Sequence, residues 1–521
     1  MSDKPITNNE VDDKFQTLLS NAAAARVISQ TIEGTIGPRG LDIMMVDRTG
    51  DVVISNDGVT ILRLMEVNHP VARMIINAAR SQQVEVGDGT TTSTIWAGSL
   101  VAEGANQVLK GVPVTQVIQG IKTGVEAAVE LIEEHSLAIH SMEDKLLFDV
   151  ACIAGRGEQD LAGLVIQGAS LLGKEKLLNP DYRFADAVIA REGVENQVLE
   201  GIFINKVPMN KEMPRVMDNC KILLIDDALA PDEVDREARG TEAGFKYYIQ
   251  NKEKFENKLR AICQMGVNVI LTDRSIDDLA EQRLTDAGIV AIQRVPMKEM
   301  DKIALYTDAR KIKRAGLNRE SEVIAGCLGN AQRLEVNDKN GYSQILGGIG
   351  EPHATILIGA ATEEVVDERE RIAFDAASAV QAALKNGVVP GGGAIEIWVA
   401  NQLEQIARDV KGMAAYGVIC VKEALLRPFS CIASNAGFNP LEKLSAITAE
   451  QMRQEKDSIA MNCDDGTLCD SVEKGVVDPV LVKIHALKAA SEVATAILKI
   501  NTIVKMKEVN AAGMNAMNIL E

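Results

Sequence analysis

Aromatic residues are scarce in this sequence: Phe, Tyr and Trp together account for 3% of its 521 residues. Proteins that bind single-stranded nucleic acid stack the bases on exposed aromatic side chains, so this activity is disfavoured. Basic residues are also in deficit, because 55 Lys and Arg stand against 74 Asp and Glu and give a formal net charge of -19. This charge repels nucleic acid and anionic membranes, and no basic patch compensates for it. We therefore expect no nucleic acid and no membrane partner.

Long apolar runs are absent as well. None approaches the roughly 18 residues that a membrane-spanning helix needs, and residues 1–21 lack the apolar core of a signal peptide. The eight cysteines lack the spacing and companion ligands of a zinc site, and the five histidines form no local cluster. These features predict a cytoplasmic protein whose thiols are reduced and buried.

Familiar nucleotide-binding motifs are missing too. The sequence contains no G-x-x-x-x-G-K-[ST] loop, no kinase catalytic motifs and no dinucleotide-binding glycine fingerprint. It does contain three glycine-rich turns, at residues 37–40, 87–89 and 391–393. Such turns suit a polyphosphate, because backbone amides approach its oxygens closely only where side chains are small. Each turn alone fits an ordinary chain reversal at least as well, so only their combination is informative.

Three aspartates could assist phosphoryl transfer, which needs carboxylates to hold Mg²⁺ and to polarise a water molecule. Asp88 lies between two glycines just before Thr90, where a helical pattern begins and free amides and hydroxyls can hold an anion. Asp57 follows a predicted strand and fits an ordinary turn aspartate equally well. Asp375 lies in a predicted helix over 363–386, beside an apolar face, where a solvated carboxylate is the usual explanation.

A chain of this length is too long for a single core and should form two to four domains. Helical patterns dominate both ends, whereas residues 201–350 alternate short apolar runs with helices, as an α/β domain does. We predict strands within residues 220–226, 267–272 and 289–294. The segment 230–257 is far more charged than its flanks and is predicted to project from that domain. The similar helical character of the two termini suggests one discontinuous domain.

Five longer motifs follow one another along the chain. They are TIGPRGLDIMMVD, ISNDGVTIL, VGDGTTTSTIWAGSL, VVDERERIAFDAASAVQAALKNGVVPGGGAIE and GVVDPVLVKIHALKAASEVATAIL. In order and separation they resemble the ATPase signatures of chaperonins, and the resemblance extends from about residue 15 to about residue 505. Its details are closer to the archaeal thermosome and eukaryotic cytosolic type, which has a built-in lid, than to the bacterial type with a detachable lid.

The resemblance implies a multi-domain chaperonin fold: a mainly α-helical equatorial domain, an α+β intermediate domain, and an α/β apical domain with a helical protrusion. The ATP-binding equatorial domain would comprise residues 1–138 and 389–521. The intermediate hinge domain would comprise residues 139–203 and 357–388. The client-binding apical domain would comprise residues 204–356, with the lid protrusion at about 230–257. Apolar residues of its predicted helices, such as Leu259 and Leu284, fit core packing better than a client-binding surface.

The motif match also implies roles for individual residues. Those implied in nucleotide binding are Gly37, Pro38, Gly40, Asp88, Gly89, Thr90, Thr91, Thr92, Arg156, Gly392, Asn462 and Asp478. Among these, Asp88 would ligate Mg²⁺ and Asp478 would hold the ribose hydroxyls. Asp57 and Asp375 would be catalytic by orienting and polarising the attacking water, with Asn462 a weaker candidate for the base. Because Asp375 would lie in the intermediate domain, hydrolysis would require that domain to close on ATP.

Three positions depart from the thermosome pattern. Arg156 stands where that type usually has a Lys that senses the γ-phosphate, and Asp478 stands where it usually has Glu. LIGAA, at residues 357–361, replaces the more usual Arg-Gly-Gly. An Arg can still reach a γ-phosphate, although its planar fork differs in geometry from the Lys ammonium. These departures suggest a divergent branch, such as the thermosome-like chaperonins of some bacteria.

The resemblance therefore implies an ATPase that encapsulates unfolded polypeptides and closes a built-in lid on hydrolysis, without a separate co-chaperonin lid. The implied cofactors are ATP and Mg²⁺, with K⁺ as a further candidate. The implied assembly is a homo-oligomer of two stacked rings, with eight subunits expected in each. Two alternatives stay open at this point: a scaffold or holdase of the same fold, and a small-molecule kinase that uses the same phosphate turns.

Overall fold

The computed structural model of the protein describes residues 8–232 and 241–504, with the side chains from residue 16 onward except those of Glu363 and Glu364. The chain divides into two compact units, Met1–Ile139 with Ala382–Glu521, and His140–Gln381. The first unit is therefore built from both ends of the chain. The three predicted domains are a finer division than these two units and stay a prediction.

The α-helices of the described residues alternate with short loops. In chain order they are α1 (Asn8–Glu33), α2 (Gly58–Leu64), α3 (Pro70–Glu85), α4 (Thr90–Leu109), α5 (Val114–Glu134), α6 (Lys145–Ala154), α7 (Gln159–Leu178), α8 (Glu242–Gln264), α9 (Asp278–Asp286), α10 (Met297–Thr307), α11 (Ser321–Ala325), α12 (Glu363–Asn386), α13 (Ala394–Asp409), α14 (Ala415–Asn435), α15 (Pro440–Gln454) and α16 (Val480–Leu498). Helix α12 coincides with the predicted span 363–386.

Within residues 8–232 and 241–504 the β-strands form one large sheet and three two-stranded ones. In chain order the strands are β1 (Ile43–Val46), β2 (Val52–Ser55), β3 (Val188–Glu192), β4 (Gln197–Ile204), β5 (Val216–Ile225), β6 (Val269–Thr272), β7 (Val290–Ile292), β8 (Gly329–Asn337), β9 (Tyr342–Gly348), β10 (Ala354–Ala360), β11 (Val388–Pro390), β12 (Ile459–Met461), β13 (Leu468–Asp470) and β14 (Val477–Pro479). The two-stranded sheets are β1-β2, β11-β14 and β12-β13.

Helix α4 lies at the centre of the first unit. Its residues Trp96 and Leu100 are fully buried, in one apolar cluster with residues of α1, α5, α14 and α16. A helix that is apolar around most of its circumference is expected in such a position. Because α4 is packed on several sides, its first turn at Thr90 is held firmly in place.

The strands β1 and β2 form an antiparallel hairpin, and β2 is the strand predicted before Asp57. Along this hairpin the side chains of Met44, Val46, Val52 and Ile54 are exposed in the single chain. A two-stranded hairpin with one apolar side in water is marginally stable by itself. The hairpin is therefore an apolar surface suited to further pairing.

The second unit contains an eight-stranded mixed sheet in the order β3-β10-β4-β9-β8-β5-β6-β7. Its last three strands, β5, β6 and β7, are parallel and correspond to the three predicted apolar strands. Residues 222–225 of β5, together with β6 and β7, are buried on both faces, since α10 packs on one face and α8 and α9 pack on the other. This is the α/β arrangement that the alternating pattern predicted.

The apolar residues of α8 and α9 lie in the core. Leu259, Ile262 and Leu284 are almost completely buried, and Leu279 packs on the same cluster half-buried. These residues therefore pack in the core. The sequence had favoured this role over a client-binding surface.

The predicted projection 230–257 falls partly outside the described residues, which omit 233–240. Its remainder is the beginning of α8, where the Thr241 hydroxyl caps the helix by accepting the Gly244 N–H at 3.1 Å. The side chains of Phe245 and Tyr247 are exposed there, whereas burial begins at Asn251. The first two turns of α8 thus extend beyond the packed core of the domain.

All eight cysteines are free thiols. Burial raises the pKa of the Cys220 thiol to about 11 and that of the Cys420 thiol to about 12, which keeps both protonated and unreactive. Across residues 8–232 and 241–504 we find no helix with the length and apolar character needed to cross a bilayer.

Candidate functional site

Asp88 lies in the turn that ends where α4 begins. Gly87 and Gly89 flank it with φ values of 83° and 78°, a left-handed conformation that favours glycine. The Gly89 N–H donates to Asp88 Oδ1 at 2.5 Å, and the side-chain amide of Gln82 donates to the Asp88 carbonyl at 2.7 Å. Among the described residues no side chain caps α4. Its first amides, on the predicted residues Thr90, Thr91 and Thr92, are therefore suited to an anion.

The Asp57 motif packs directly against the first turn of α4. Asp57 is the N-cap of α2, and its Oδ2 accepts the Thr60 N–H at 2.8 Å. At the neighbouring Gly58, a Cβ atom would lie 2.6 Å from Thr91 Oγ1 and 3.2 Å from Thr90 Oγ1. Only glycine permits this close approach. The structure thus brings together two motifs that are separate in the sequence.

Three aspartates influence one another at this place. The pKa of the Asp88 carboxyl is raised to about 6, first by burial and then by the carboxylates of Asp478 and Asp57, against the opposing effects of the Gly89 N–H and the Lys483 ammonium. Asp88 nevertheless keeps part of its surface exposed to solvent. A carboxylate surrounded by like charges is stabilised by an added cation. The arrangement therefore favours a site for a metal ion with its bound anion.

The donor set fits Mg²⁺ better than a metal held by protein ligands alone. Within the parts of the chain that the structure describes, no three His, Cys, Asp or Glu side chains are grouped so as to hold a metal ion. Mg²⁺ commonly takes one or two carboxylates and keeps waters and substrate phosphates as its other ligands. Asp88, next to the free amides of α4, offers that combination.

The third glycine-rich turn lies between β11 and α13. β11 pairs with β14 so that Val389 is opposite Asp478. The Gly391 N–H donates to the Val476 carbonyl at 2.9 Å, and a Cβ atom on Gly391 would lie 3.2 Å from Asp478 Oδ2. Gly392 follows with a φ of 66°. The structure therefore places the predicted ribose carboxylate against the turn that contains Gly392.

Gln82 is a site residue that sequence reasoning missed. It is fully buried, its side-chain amide also donates to the Val482 carbonyl at 3.2 Å, and its Oε1 lies 2.6 Å from His485 Nδ1. Gln82 therefore joins the Asp88 turn to α16, which follows Asp478. A buried glutamine is hard to recognise in a sequence, because a glutamine on the surface of a helix would fit the same pattern of apolar and polar residues.

Lys483 is the second residue that was missed. Its Nζ lies 2.6 Å from Glu396 Oε1 and 2.8 Å from Asp478 Oδ2, and all three side chains are largely shielded from solvent. A signal for it was present in the sequence. Lys483 is the one charged residue in the apolar run 480–487, and a charge on a buried helix face requires a partner.

The first glycine-rich turn, with the predicted residues Gly37, Pro38 and Gly40, follows α1. Gly37 has a φ of 86°, and its carbonyl accepts the Gly40 N–H at 3.0 Å. Side-chain amide hydrogens of Asn435 on α14 reach the carbonyls of Glu33 and Ile36 at 2.9 and 3.0 Å. These hydrogen bonds fix the N-terminal side of the turn to α14.

Asn462 lies in a loop next to this first turn. Arg39, within the turn, pairs with Asp464 at 2.6 Å. Asn462 Oδ1 accepts the Asp464 N–H at 3.0 Å, so this oxygen already supports the loop. The structure brings Asn462 near the 37–40 turn and gives its side chain a structural contact.

Two predicted residues, Arg156 and Asp375, belong to the second unit. Arg156 follows α6 with a φ of 56°, and its Nη1 lies 2.7 Å from Glu368 Oε1 on α12. Glu368 also pairs with Arg371. Asp375 is half-buried about two turns further along the same helix, next to the fully buried Ala376. In this structure the Arg156 guanidinium is therefore engaged by a carboxylate of the helix that carries Asp375.

Comparison with known proteins gives consistent matches along the chain. The model of the TCP-1/cpn60 chaperonin family matches residues 28–508. A thermosome subunit of Methanopyrus kandleri is 34% identical over 509 residues, which cover 94% of this chain and 92% of the relative. A thermosome subunit of Pyrococcus abyssi is 33% identical over 505 residues, covering 93% and 90%.

A solved structure is also similar over nearly the full length. It is described as the crystal structure of a group III chaperonin in the open state. The TM-score is 0.89 at 42% sequence identity, and the match covers 95% of this chain and 100% of the other.

Proposed function

The chain belongs to the TCP-1/cpn60 chaperonin family, and on that premise we propose how its residues bind and hydrolyse ATP. It is an ATP-dependent chaperonin of the thermosome type, which assists the folding of unfolded polypeptides and has a built-in lid. The observation that supports the residue roles most strongly is the packing of the Asp57–Gly58 motif against the first turn of α4, which follows Asp88 directly.

In the proposed site the phosphates of ATP lie at the N-terminus of α4. The amides and hydroxyls of Gly89 and of the threonines that follow it donate to phosphate oxygens, and the turn containing Gly37, Pro38 and Gly40 contributes further amides. Asp88 ligates Mg²⁺, which neutralises phosphate charge when bound. Asp478 accepts hydrogen bonds from the ribose hydroxyls, and Gly392 permits close approach of the nucleotide.

Two carboxylates are proposed to act on the attacking water. Asp57 Oδ2 caps α2, which orients the carboxylate. Its other oxygen, Oδ1, is assigned to the attacking water. Asp375 is assigned the second position because its motif matches, and Asn462 remains a weaker candidate for the base. Arg156 is proposed to contact the γ-phosphate, which would require it to exchange Glu368 for phosphate oxygens.

A refolding experiment tests the function against the alternatives. A denatured client is diluted into the protein with ATP, with ADP or without nucleotide, and recovered client activity is measured. We expect recovery to require ATP. A passive holdase would keep the client soluble without recovery, and a small-molecule kinase would leave the yield unchanged. The relatives are chaperonins throughout, so neither alternative is favoured.

The protein assembles as a double-ring oligomer that binds unfolded polypeptides. The finer proposal is a homo-oligomer with eight subunits in each ring and no separate lid protein. The exposed hairpin β1–β2 supports self-assembly, because its apolar side chains and open edges require a partner. Electron micrographs of the purified protein should show end views with eightfold symmetry, and sevenfold or ninefold views would refute the subunit number alone.

A cytoplasmic location and a requirement for K⁺ are further proposals. The eight free cysteines support a reducing compartment, where such thiols persist. For K⁺, steady-state ATPase rates in buffers that contain either K⁺ or Na⁺ at equal ionic strength provide the test. Equal rates in the two buffers would show that K⁺ is not a cofactor.

A further inference from the structure

Lys483 carries a charge in the interior of the first unit. The residue is 8% exposed and lies on α16, among the fully buried side chains of Ala486 and Leu487. An ammonium group in such a place is very costly unless carboxylates or other acceptors surround it. The two carboxylates that do so belong to different segments, Glu396 on α13 and Asp478 on β14.

Glu396 has no other described cation beside it. It is 1% exposed, its Oε1 accepts from Lys483, and its Oε2 has no hydrogen-bond partner among the described residues. Glu396 lies in the first turn of α13, just after the glycine-rich turn 391–393, where the helix dipole favours a negative charge. The Glu396 carboxylate therefore fixes the lysine ammonium through a contact that is independent of Asp478.

Lys483 links Glu396, just after the turn 391–393, to Asp478 on β14, which pairs with the strand before that turn. A lysine has a flexible four-carbon stem and would be a mobile partner for Asp478 by itself. Held at 2.6 Å by Glu396, the ammonium instead becomes a fixed donor to Asp478 Oδ2 at 2.8 Å. The two carboxylates and one ammonium keep a net charge of -1, so Asp478 can still act as an acceptor.

We propose that Lys483, anchored by Glu396, is a positioning residue that orients the Asp478 carboxylate toward the ribose hydroxyls of the bound nucleotide. This inference rests on the proposed role of Asp478. Lys483 and Glu396 do not touch the nucleotide. Their effect is to leave one carboxylate oxygen of Asp478 in a fixed direction, because the other oxygen is held by the ammonium.

The test measures how well the protein distinguishes two ligands, ADP and 2′-deoxyADP, by titration calorimetry with Mg²⁺. Neither ligand is hydrolysed, so the dissociation constants are equilibrium values. The native protein should bind ADP about tenfold more tightly than 2′-deoxyADP, the size expected for one hydrogen bond to a charged group. In Lys483→Met the preference should fall to less than twofold, while the affinity for 2′-deoxyADP changes little. A purely structural role would weaken both ligands alike.

A second variant protects the test against misfolding. Lys483→Met leaves the buried Glu396 carboxylate unpaired, whereas the double variant E396Q/K483M removes both charges and should fold, as thermal unfolding would verify. It should also lose the preference for ADP. Lys488→Met, at an exposed lysine of the same helix, is the matched control and should keep the full preference.

The possible results distinguish a failure of the positioning role of Lys483 from a failure of the proposed nucleotide site. If the folded double variant keeps the native preference while Asp478→Asn loses it, the positioning role of Lys483 is wrong and the role of Asp478 stands. If the native protein binds ADP without preferring it over 2′-deoxyADP, the ribose role of Asp478 fails and the inference fails with it. If the native protein binds neither ligand, the proposed nucleotide site itself is wrong.

Discussion

The α-carbon of Gly58 lies so close to the first turn of α4 that a side chain at this position would meet the hydroxyls of two threonines. In Gly58→Ala the new Cβ must displace Thr91, which we propose to contact phosphate. Overpacking of this kind costs about 1–3 kcal/mol. We expect ATP to bind about tenfold more weakly, as measured by titration calorimetry with a non-hydrolysed analogue.

The control for this variant is Gly34→Ala. A Cβ atom at Gly34 has nothing within 4 Å, and the residue lies in the same unit. Its ATP affinity should match the native value. An unchanged affinity in Gly58→Ala would mean that the contact between the two motifs is unrelated to nucleotide binding.

Asp375 gives a prediction about hydrolysis alone. Asp375→Ala removes a proposed catalytic carboxylate from α12 but changes none of the residues around Asp88. We expect the variant to bind ATP within about threefold of the native affinity and to hydrolyse it at least a hundredfold more slowly, the range for loss of a positioned general base. Single-turnover hydrolysis and equilibrium binding measure the two quantities separately. Hydrolysis at the native rate would show that the role assigned to Asp375 is wrong.

The aspartates and glycines of the candidate site are easier to recognise in the sequence than the side chains that support them. Asp57, Asp88 and Asp478 carry signals because each stands in a short motif with glycine or proline beside it. Gln82 carries none, and Lys483 is marked only by its charge within an apolar run, since the importance of both comes from partners far away in the chain, Val482 and Glu396. Burial of a polar side chain depends on the tertiary structure, which local periodicity does not contain. The catalytic and binding roles themselves stay predictions.

The hairpin β1–β2 leads to a prediction about the assembly of subunits into the oligomer. Ile54 is 56% exposed on β2, on the surface that we propose to be covered in the oligomer. Ile54→Lys would bury an unpaired ammonium there, which is strongly unfavourable. We expect the variant to elute as a species near the mass of one chain, 56.1 kDa, whereas the native protein elutes as a large oligomer.

The matched control is Leu441→Lys on α15. Leu441 is 77% exposed and lies outside any strand, so a lysine there should leave the assembly intact. Light scattering coupled to the sizing column measures both masses. If Ile54→Lys assembles like the native protein, the hairpin is not part of the interface.

Elements with a strong local pattern were predicted from the sequence, whereas elements that depend on a distant partner were not. The helix 363–386 has a repeated apolar face, and residues 222–225 of β5 are apolar, as β6 and β7 largely are, so both patterns are strong. The sequence predicted no strand in the segments 387–393 and 475–479, yet each contains a three-residue strand that pairs with the other. Strands this short and proline-containing become strands only through their partner. No local pattern could have predicted that pairing.

At the scale of the whole molecule, one histidine makes stability depend on pH. The pKa of His353, in the second unit, is lowered to about 4, first by burial and then by the ammonium groups of Lys302 and Lys176. In the unfolded chain its imidazole titrates near 6.5. Below pH 6.5 the unfolded state therefore binds a proton that the folded state does not, and folding becomes less favourable as pH falls toward 4.

The expected loss attributable to His353 is about 2 kcal/mol between pH 7.5 and pH 5.0. Urea unfolding of the native protein and of His353→Gln at both pH values measures it, because glutamine does not titrate. The variant should lose about that much less stability on acidification. His140→Gln, at an exposed histidine of the same unit, should behave like the native protein. Identical acid sensitivity of native protein and His353→Gln would contradict this.

The first unit is made from two lengths of chain, with residues 140–381 between them. During synthesis on the ribosome, Asp57 and Asp88 leave the exit tunnel well before Asp478 and Lys483. At about 5–20 residues per second, the intervening segment alone delays them by roughly 10 to 50 seconds. A nascent chain that has not reached residue 483 therefore lacks part of the proposed nucleotide site, and that site can form only after the segment 140–381 has been synthesised.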